Sequence, residues 1–454
     1  MTEKVPAEAR RDAPERAPLS LQLEFLRLMD SGGTAGPFGP RYTIVVGWRV
    51  AGAIDAAVLR AALTDVVARH EALRTRVVLD GDSAYQEIWP PASPPLAVRE
   101  LAATDPAARE AATEEFLNEV EAGESVGAEP PRLRAVLGRF DDADAVLALV
   151  AHHTLVDGWS MQVIMRDLAA CYAARAEGRE PALPAARQYR DYVAWQQEQA
   201  DSPAVAAARA YWREHLRGAR VLPVPTDRPR STAEFVTGWH RFMLADEFRT
   251  ATLKLAREYR SSPFMVLMAA FLTMLRDRTG ETDLVVPTLT TGRQPGWTQD
   301  VVGTFYNFIP LRVDLAGCDS FRDVVARVRS TCLATYRHEL PFVQIMQEAP
   351  ELMAAVMQPT AAAVAFQVIQ HGVTADGPAE GLRFDAVRRR VISTPVGSQI
   401  PDGILAELDL HPDSGVFGKV AYTQHLYDES TVIAMMADLR QVLLDTVVAA
   451  PVAA

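Results

Sequence analysis

The sequence predicts a mixed α/β protein of two domains. Residues 145–151 are continuously apolar, as in a buried strand, and residues 159–174 repeat apolar side chains at three- and four-residue steps, as in an amphipathic helix. The second half of the chain alternates strand and helix patterns in the same way. At 454 residues the chain exceeds the length that one hydrophobic core serves, so we expect two domains.

The elements before this segment follow from local composition. Residues 1–17 are charged and contain proline, so we expect a disordered tail. Asp55 precedes apolar residues at helical spacing, which predicts a capped helix that ends near Arg69 and leads into a strand over residues 76–79. Alanine-rich residues 106–115 predict a surface helix.

The second half is predicted in the same manner. Residues 178–186 carry two prolines, and we expect a linker between the domains there. Residues 204–216 are rich in alanine and predict a further surface helix. Residues 263–280 predict a helix that starts with proline and stops at glycine, and residues 283–288 predict a strand. A turn over residues 290–293 follows that strand.

The most informative segment joins the first strand to the first helix. Residues 152–158 read His-His-Thr-Leu-Val-Asp-Gly, which places two imidazoles and a carboxylate on a strand-to-helix turn. Successive side chains of an extended segment point to opposite faces, so His152 and His153 face different surroundings and cannot share one task. A neutral imidazole accepts protons well near neutral pH, because its ordinary pKa is about 6.5. The segment therefore predicts a general base.

The same residues are also compatible with structural or metal-binding roles. An aspartate directly before a helix accepts hydrogen bonds from the first backbone N–H groups, so Asp157 could serve only as a helix cap. Adjacent histidines can act as metal ligands, but no third ligand stands at a usual spacing, and we predict no metal site. Ser160 is expected to serve the first turn of the helix rather than to act as a nucleophile.

The motif segment resembles the HHxxxDG signature of the condensation domains of nonribosomal peptide synthetases, which belong to the chloramphenicol acetyltransferase-like acyltransferases. Other segments resemble motifs of the same family in the same order. They are residues 18–22 (PLSLQ), 69–75 (RHEALRT), 189–196 (YRDYVAWQ), 226–230 (TDRPR), 302–312 (VGTFYN through LR) and 340–342 (LPF). Together they span nearly the whole chain from residue 18.

Three of these segments can also be understood as purely structural. Residues 69–75 follow the capped helix and are expected to end it. Tyr189, Tyr192 and Trp195 lie three residues apart, as in a stripe that faces a core. Residues 226–230, with prolines around them, have the composition of a connecting segment on the surface.

The resemblance implies a more detailed fold of the α/β (α+β) class. It implies two chloramphenicol acetyltransferase-like lobes, residues 18–180 and 181–454, in a V-shaped arrangement with a tunnel between them and His153 near its middle. An acyl donor, held as a thioester on the phosphopantetheine arm of a peptidyl carrier protein, is expected to enter from one face. A small amine or alcohol acceptor is expected to enter from the other.

The resemblance also implies a role for each motif residue. His153 orients or deprotonates the acceptor and stabilises the tetrahedral intermediate, His152 packs beside it, and Gly158 brings a backbone N–H near the reacting atoms. Asp157 forms a salt bridge with Arg293 that fixes the turn, and losing one partner would cost about 3–5 kcal/mol. The alternative for Arg293 is an exposed position on a loop. The predicted catalytic set is His153, His152, Asp157 and Gly158.

The chain departs from the family pattern at several positions. Arg337 stands at the first position of the family's HQDxPF motif. Phe308 replaces the usual threonine after Asn307, and Tyr306 and Phe308 add bulk to this region. We expect the side chains of Trp159, Tyr306, Asn307 and Phe308 to lie near the tunnel, in contact with substrate. Burial in a core is the alternative for the aromatic ones.

Composition argues against several functional classes. A net charge of −12 and the lack of a glycine-rich phosphate loop argue against nucleic acid and nucleotides as ligands. Cys171, Cys318 and Cys332 form no CxxC pair, so the cytoplasm is the expected compartment. No apolar stretch approaches the roughly 18 residues of a membrane span, and we expect neither a span nor a signal peptide.

We therefore expect a free-standing condensation enzyme of secondary-metabolite biosynthesis, because no adenylation motif and no carrier-type GGxS serine flanks the unit. The carrier protein would then dock in trans, and no bound cofactor is expected. Two alternatives stay open. One is an acyltransferase of the same superfamily that takes its donor from coenzyme A. The other is a catalytically inactive scaffold that binds carrier proteins.

Overall fold

The structure, a computed structural model, describes most of the chain. The described residues are 13–30, 36–81, 83–103, 105–123, 126–231, 236–369, 377–379, 381–400, 402–411 and 415–449. Contacts divide the chain into two compact units. The first comprises Met1–Glu198, Thr291–Tyr306 and Val373–Arg388, and the second comprises Gln199–Thr290, Asn307–Gly372 and Arg389–Ala454.

Helices and strands are interspersed along the described part of the chain. The first are β1 (Glu15–Pro18), α1 (Leu21–Met29), β2 (Thr43–Ala51), α2 (Ala56–Arg69), β3 (Thr75–Asp80), β4 (Ser83–Ile88), β5 (Leu96–Glu100), α3 (Pro106–Ala122), β6 (Leu133–Asp141), β7 (Asp144–His152), α4 (Gly158–Ala176), α5 (Tyr189–Gln199) and α6 (Pro203–His215). The rest are β8 (Val224–Pro225), β9 (Thr237–Leu244), α7 (Asp246–Glu258), α8 (Pro263–Thr279), β10 (Asp283–Thr290), β11 (Asn307–Asp314), α9 (Phe321–Arg337), α10 (Phe342–Glu348), β12 (Ala361–Ile369), β13 (Gly377–Ala379), β14 (Leu382–Ala386), β15 (Gly403–Leu410), β16 (Val416–Thr423) and α11 (Glu429–Leu443).

The first unit is built on a six-stranded mixed sheet in the order β13-β14-β2-β7-β6-β5, and a smaller sheet, β1-β4-β3, accompanies it. Strand β7 lies between β2 and β6 and pairs antiparallel with both, with Thr43 opposite His152. Alternate side chains of β7 pack into two cores, one shared with α2 and α4 and the other covered by α3. Burial on both faces explains why this strand is continuously apolar.

The second unit contains a five-stranded sheet in the order β8-β12-β15-β16-β9 and the antiparallel pair β10-β11. Helix α8 packs against it and is buried along most of its length. The ring of Phe271 on α8 stacks on Phe366 of β12 at 4.4 Å. The sequence pattern of this helix, apolar on nearly every side, is that of a core helix.

Each unit contains the same kind of turn after an antiparallel strand. In the first, β7 ends at His152 and Asp157 is the last residue before α4. In the second, β16 ends at Thr423 and Asp428 is the last residue before α11. In both turns the N–H three residues after the strand's end donates to the carbonyl of that end residue, at 2.9 and 3.0 Å. Gln424 occupies in the second turn the place of the second motif histidine in the first.

Most predicted elements are confirmed, and two differ. The segments 145–151, 159–174 and 283–288 lie in β7, α4 and β10, and segment 263–280 corresponds to α8 with Gly280 as its C-cap. Residues 1–12 lie outside the described part of the chain, but residues 15–17 belong to β1, which pairs with β4, so the predicted tail is wrong there. Strand pairing uses backbone groups, which a charged composition does not remove.

The predicted linker, residues 178–186, has no helix or strand, but it lies inside the first unit, which continues to Glu198. The reason is a set of contacts with the end of α2. Arg69 donates to the carbonyl of Pro184 at 2.6 Å, and Gln188 donates to the carbonyl of Arg69 at 3.1 Å. These bonds hold the segment against the first unit.

Candidate active site

His153 lies on the motif turn with one ring nitrogen fixed. Its backbone N–H donates to the Tyr42 carbonyl at 2.8 Å, and its Nδ1 lies 2.8 Å from the carbonyl oxygen of Val156. A carbonyl oxygen can only accept, so Nδ1 carries the proton and the neutral ring has its lone pair on Nε2. The residue is half-buried. This is the tautomer that a general base acting through Nε2 requires.

Two tyrosine rings contact the His153 ring. The Tyr42 ring is nearly parallel to it, at 5.2 Å and 24°, and the Tyr306 ring is tilted, at 4.8 Å and 54°. The two tyrosine hydroxyl oxygens lie 2.6 Å apart and share a hydrogen bond. Burial raises the pKa of Tyr42 to about 12, against the hydrogen bond with Tyr306, and burial raises the pKa of Tyr306 well above its ordinary value. Both phenols are therefore neutral near pH 7.

His152 is buried within the turn. It is 0% exposed, its Nε2 lies 2.9 Å from the Gly39 carbonyl, and its Nδ1 lies 2.7 Å from the Thr154 hydroxyl. Burial, helped by the cation of Arg132, lowers the pKa of His152 to about 3. The neutral ring, with both nitrogens engaged by the protein, supports the turn. We correct its assignment as a catalytic residue accordingly.

The structure brings Asp157 and Arg293 together, as the resemblance implies. The Asp157 carboxylate accepts the Ser160 N–H at 2.7 Å, the Arg293 Nη2 at 2.8 Å and the Phe305 N–H at 3.2 Å. The side chains of Arg293 and Asp157 are 0% and 6% exposed. Asp157 therefore does two things at once, since it caps α4 and forms a buried ion pair.

Arg293 ties the segment Thr291–Tyr306 to the start of α4. Its Nη1 donates to the carbonyls of Thr298 and Val301, at 2.5 and 2.8 Å. Its Nη2 reaches the Ser160 hydroxyl at 2.8 Å as well as Asp157. The guanidinium also lies over the Phe305 ring, 4.2 Å from its centre. An arginine is needed here because a lysine ammonium cannot present donors to four partners in this planar arrangement.

Ser160 is a supporting residue that the sequence reasoning placed wrongly. Its hydroxyl donates to the Gly303 carbonyl at 2.7 Å and accepts the Gly303 N–H at 3.0 Å, rather than serving the first turn of α4. A Cβ on Gly303 would lie 2.1 Å from Cδ2 of Tyr189, so this position requires glycine. The glycine of the VGTFYN segment, Gly303, was the one sign of this contact in the sequence. Its partner Ser160 is 143 residues away, so the sequence alone does not pair them.

Gly158 is exposed at the first position of α4. A Cβ there would meet only Cδ1 of Ile44, at 4.0 Å, so packing does not require glycine. The first N–H groups of a helix have no partner within it, and the helix dipole makes this end positive. Glycine therefore leaves open space beside a donor suited to an oxyanion.

Among the four predicted substrate contacts, the Tyr306 ring lies against the His153 ring. Trp159 is half-buried and donates its indole N–H to the Gln299 carbonyl at 2.8 Å. Asn307 is buried in the second unit, where it donates to the Leu340 carbonyl at 2.8 Å and accepts the Phe342 N–H at 2.9 Å. Phe308 belongs to the same unit and lies 6.2 Å from the Phe342 ring. Asn307 thus has a structural role in its own unit.

Three of the family-like segments, residues 18–22, 189–196 and 302–312, meet beneath the motif. The Ser20 hydroxyl bonds to the Tyr189 hydroxyl at 2.8 Å, and Tyr189 donates to the Thr304 carbonyl at 2.6 Å. The rings of Tyr189 and Tyr192 contact the ring of Phe305, at 5.1 and 4.7 Å. Since Phe305 also contacts Arg293 and Asp157, these buried residues form a continuous support below the turn.

The RHEALRT segment is structural, as its helix-ending position suggested. Arg69 Nε donates to the Asp167 carboxylate at 2.7 Å, and His70 Nε2 lies 2.9 Å from the same oxygen. Burial raises the pKa of Asp167, but the hydrogen bonds from His70 and Arg69 outweigh it and hold that pKa below its ordinary value. These bonds join the end of α2 to α4 and so help to place the motif helix.

In the described residues we find no cluster of three or more His, Cys, Asp or Glu side chains arranged to hold a metal ion. Within the same part of the chain no helix has both the length and the apolar character of a membrane span. The arrangement around His153 combines a proton acceptor, a helix N-terminus and neutral phenols. It is suited to moving one proton and stabilising an oxyanion.

Comparisons with known proteins place the chain in one family. The family model of the condensation domain matches residues 37–451. A dimodular nonribosomal peptide synthase of Bacillus subtilis is 36% identical over 357 residues, which cover 75% of this chain and 14% of that protein. The chain spans about a third or less of the length of the other curated relatives as well.

Solved structures are similar over nearly the whole chain. The SgcC5 protein of Streptomyces globisporus is 43% identical with a TM-score of 0.92, and the match covers 96% of this chain and 99% of that one. The X-domain from teicoplanin biosynthesis is 27% identical with a TM-score of 0.75, covering 95% of each chain. The chain therefore belongs to the condensation-domain family of nonribosomal peptide synthetases.

Proposed function

We propose that this protein transfers an acyl group from a phosphopantetheine thioester on a peptidyl carrier protein to a hydroxyl or amine acceptor, forming an ester or an amide. The observation that supports it most is the His153 ring. Its Nδ1–H is held by the Val156 carbonyl, which leaves the lone pair on Nε2, and the side chain is half-buried on the turn that leads to Gly158.

The proposed reaction moves one proton twice. The acceptor's proton passes to Nε2 of His153 while the acceptor oxygen or nitrogen attacks the thioester carbonyl carbon. The oxyanion that forms is stabilised by the backbone N–H of Gly158 at the positive end of α4. Collapse breaks the C–S bond, and the proton on His153 passes to the departing thiolate.

Positioning supplies the rest of the rate enhancement. A thioester is already activated, so holding it beside the acceptor in the right orientation is the main requirement. The supports of the turn serve that purpose, since the Asp157–Arg293 pair and Ser160 tie α4 to the segment Thr291–Tyr306. We place the reaction in the cytoplasm, with the acyl group presented by a carrier protein.

One relative favours a hydroxyl acceptor. The SgcC5 structure is a complex with (R)-1-(2-naphthyl)-1,2-ethanediol and sucrose. A diol that bears an aromatic ring has the chemistry of a small alcohol acceptor. For this chain it is the reason to test aryl alcohols before amines.

Two other functions are separable by experiment. The first takes the acyl donor from coenzyme A instead of a carrier protein. The second is binding without chemistry, for which the relevant observation is that the teicoplanin X-domain was solved in a complex with OxyB. The presence of His153, Asp157 and Gly158 in a supported turn argues against a purely binding role.

The test incubates the protein with one aryl acyl group presented on a carrier protein, on coenzyme A and on free pantetheine. The acceptors are paired aryl ethanediols and aryl aminoethanols, and products are read by mass. We expect product with the carrier-bound donor at a rate at least tenfold above the other donors. Equal rates with acyl-CoA would favour the coenzyme A alternative, and carrier binding without product would favour the scaffold.

A further inference from the structure

The proposed reaction raises an electrostatic problem at His153. When Nε2 takes the acceptor's proton, the ring becomes a cation, and in serine-histidine-aspartate sites a carboxylate at Nδ1 stabilises that charge. Here Nδ1–H meets the neutral carbonyl of Val156. The Asp157 carboxylate is already bonded to Ser160, Arg293 and Phe305.

The two phenol rings are placed to act on this charge. The ring centres of Tyr42 and Tyr306 lie 5.2 and 4.8 Å from the centre of the His153 ring. A cation within about 6 Å of an aromatic ring centre is stabilised by the ring's quadrupole, and the effect grows when water is excluded. Tyr42 is 3% exposed, so water is largely excluded on that side.

We propose that Tyr42, whose ring is nearly parallel to the imidazole, and Tyr306, whose ring is tilted against it, stabilise the imidazolium of His153 and so lower the barrier of the proposed acyl transfer. Both residues act through His153 rather than on the substrate. The inference rests on the proposed function and adds to it two side chains that act on the charge of the protonated ring.

The hydrogen bond between the hydroxyls gives the rings a fixed position. The two hydroxyl oxygens lie 2.6 Å apart. The His153 backbone N–H donates to the Tyr42 carbonyl, so the backbone of Tyr42 is bonded to His153 while its ring is bonded to Tyr306. Tyr306 follows Phe305, whose N–H bonds to Asp157. Consecutive residues of the same segment therefore support the carboxylate below the turn and the imidazole on it.

The test compares Tyr306→Phe, which keeps the ring, with Tyr306→Leu, which removes it. We expect kcat of the Leu variant to be roughly 5- to 30-fold below that of the Phe variant, with KM within twofold, because the lost stabilisation is specific to the protonated ring. Tyr85→Leu is the matched control. It removes a tyrosine ring on β4, outside the motif turn, whose centre lies 4.3 Å from the guanidinium carbon of Arg16. Its kcat is expected to equal that of the wild type.

Equal kcat values for the Phe and Leu variants would overturn the inference, and so would a change carried entirely by KM. Circular dichroism checks folding, and Tyr306→Met replaces the Leu variant if the latter does not fold. Wild-type protein in the same assay tests the proposed function separately. An active wild type with equal variants refutes only the role of the rings, whereas an inactive wild type refutes both proposals.

Discussion

The buried ion pair beneath the motif turn allows a quantitative prediction. Asp157→Asn is nearly isosteric and keeps an oxygen for the Ser160 N–H, but it removes the charge that faces Arg293. The side chains of Arg293 and Asp157 are 0% and 6% exposed. Removing one partner leaves the other charge buried and uncompensated, which costs about 3–5 kcal/mol of unfolding free energy.

The chain supplies a matched control. Asp428 precedes α11 as Asp157 precedes α4, and it pairs with Arg228 at 2.7 Å, but the two side chains are 57% and 44% exposed. Water screens such a pair, so Asp428→Asn is expected to cost less than about 1 kcal/mol. The two substitutions are chemically identical. The carboxylates differ in burial and in capping, because Asp157 accepts the Ser160 N–H whereas the Asp428 side chain makes no cap hydrogen bond, and Asn keeps the capping oxygen at position 157.

The assay is urea unfolding followed by tryptophan fluorescence and circular dichroism, together with the transfer rate of each variant. A displacement of the turn by about 1 Å is expected to lower kcat by roughly 100-fold in Asp157→Asn. The double variant Asp157→Asn/Arg293→Met should lose less stability than the sum of the two single variants. If Asp157→Asn and Asp428→Asn were equally stable, the assignment of a buried, stabilising pair would be refuted.

Three further substitutions follow from single contacts. Gly303→Ala should lose about 1–3 kcal/mol in the same unfolding assay, because the new Cβ collides with Tyr189, whereas Gly296→Ala, which meets open space, should match the wild type. Gly158→Ala should unfold like the wild type but lower kcat/KM, since its methyl enters the space beside the motif; an unchanged rate would contradict this. The pKa of His152 is lowered to about 3 in the folded state, against about 6.5 in the unfolded state. Its contribution to the unfolding free energy is therefore fully present above pH 6.5 and is lost as the pH falls, by roughly 2 kcal/mol at pH 5. In urea titrations from pH 7 to 5, His152→Gln should make the unfolding free energy less dependent on pH. If the variant lost as much stability as the wild type over this range, groups other than His152 would be responsible for the loss.

The local elements of the motif could be predicted from the sequence. The apolar segment, the turn and the amphipathic helix each have a short-range pattern, and β7 and α4 appear where those patterns predict them. The cap at Asp157 is also a local feature. The partnership with Arg293 required the family resemblance, because the two residues are 136 positions apart.

Contacts between distant segments could not be predicted. Nothing near Ser160 in the sequence indicates that its hydroxyl bonds to Gly303, 143 residues away. Tyr42 was missed altogether, because a single tyrosine at the start of a strand has no pattern that marks it as a neighbour of His153. Strand β1 was missed for a similar reason, since its pairing with β4 depends on backbone groups.

The central claim is that His153 handles the acceptor's proton. The direct measurement is the single-turnover rate of product formation from a preloaded acyl carrier protein, followed by rapid quench and mass analysis. We expect His153→Ala to lower this rate by about 10²- to 10⁴-fold, while Gln424→Ala, at the matching position of the second turn, leaves it unchanged. A His153→Ala rate within threefold of the wild type would contradict the account.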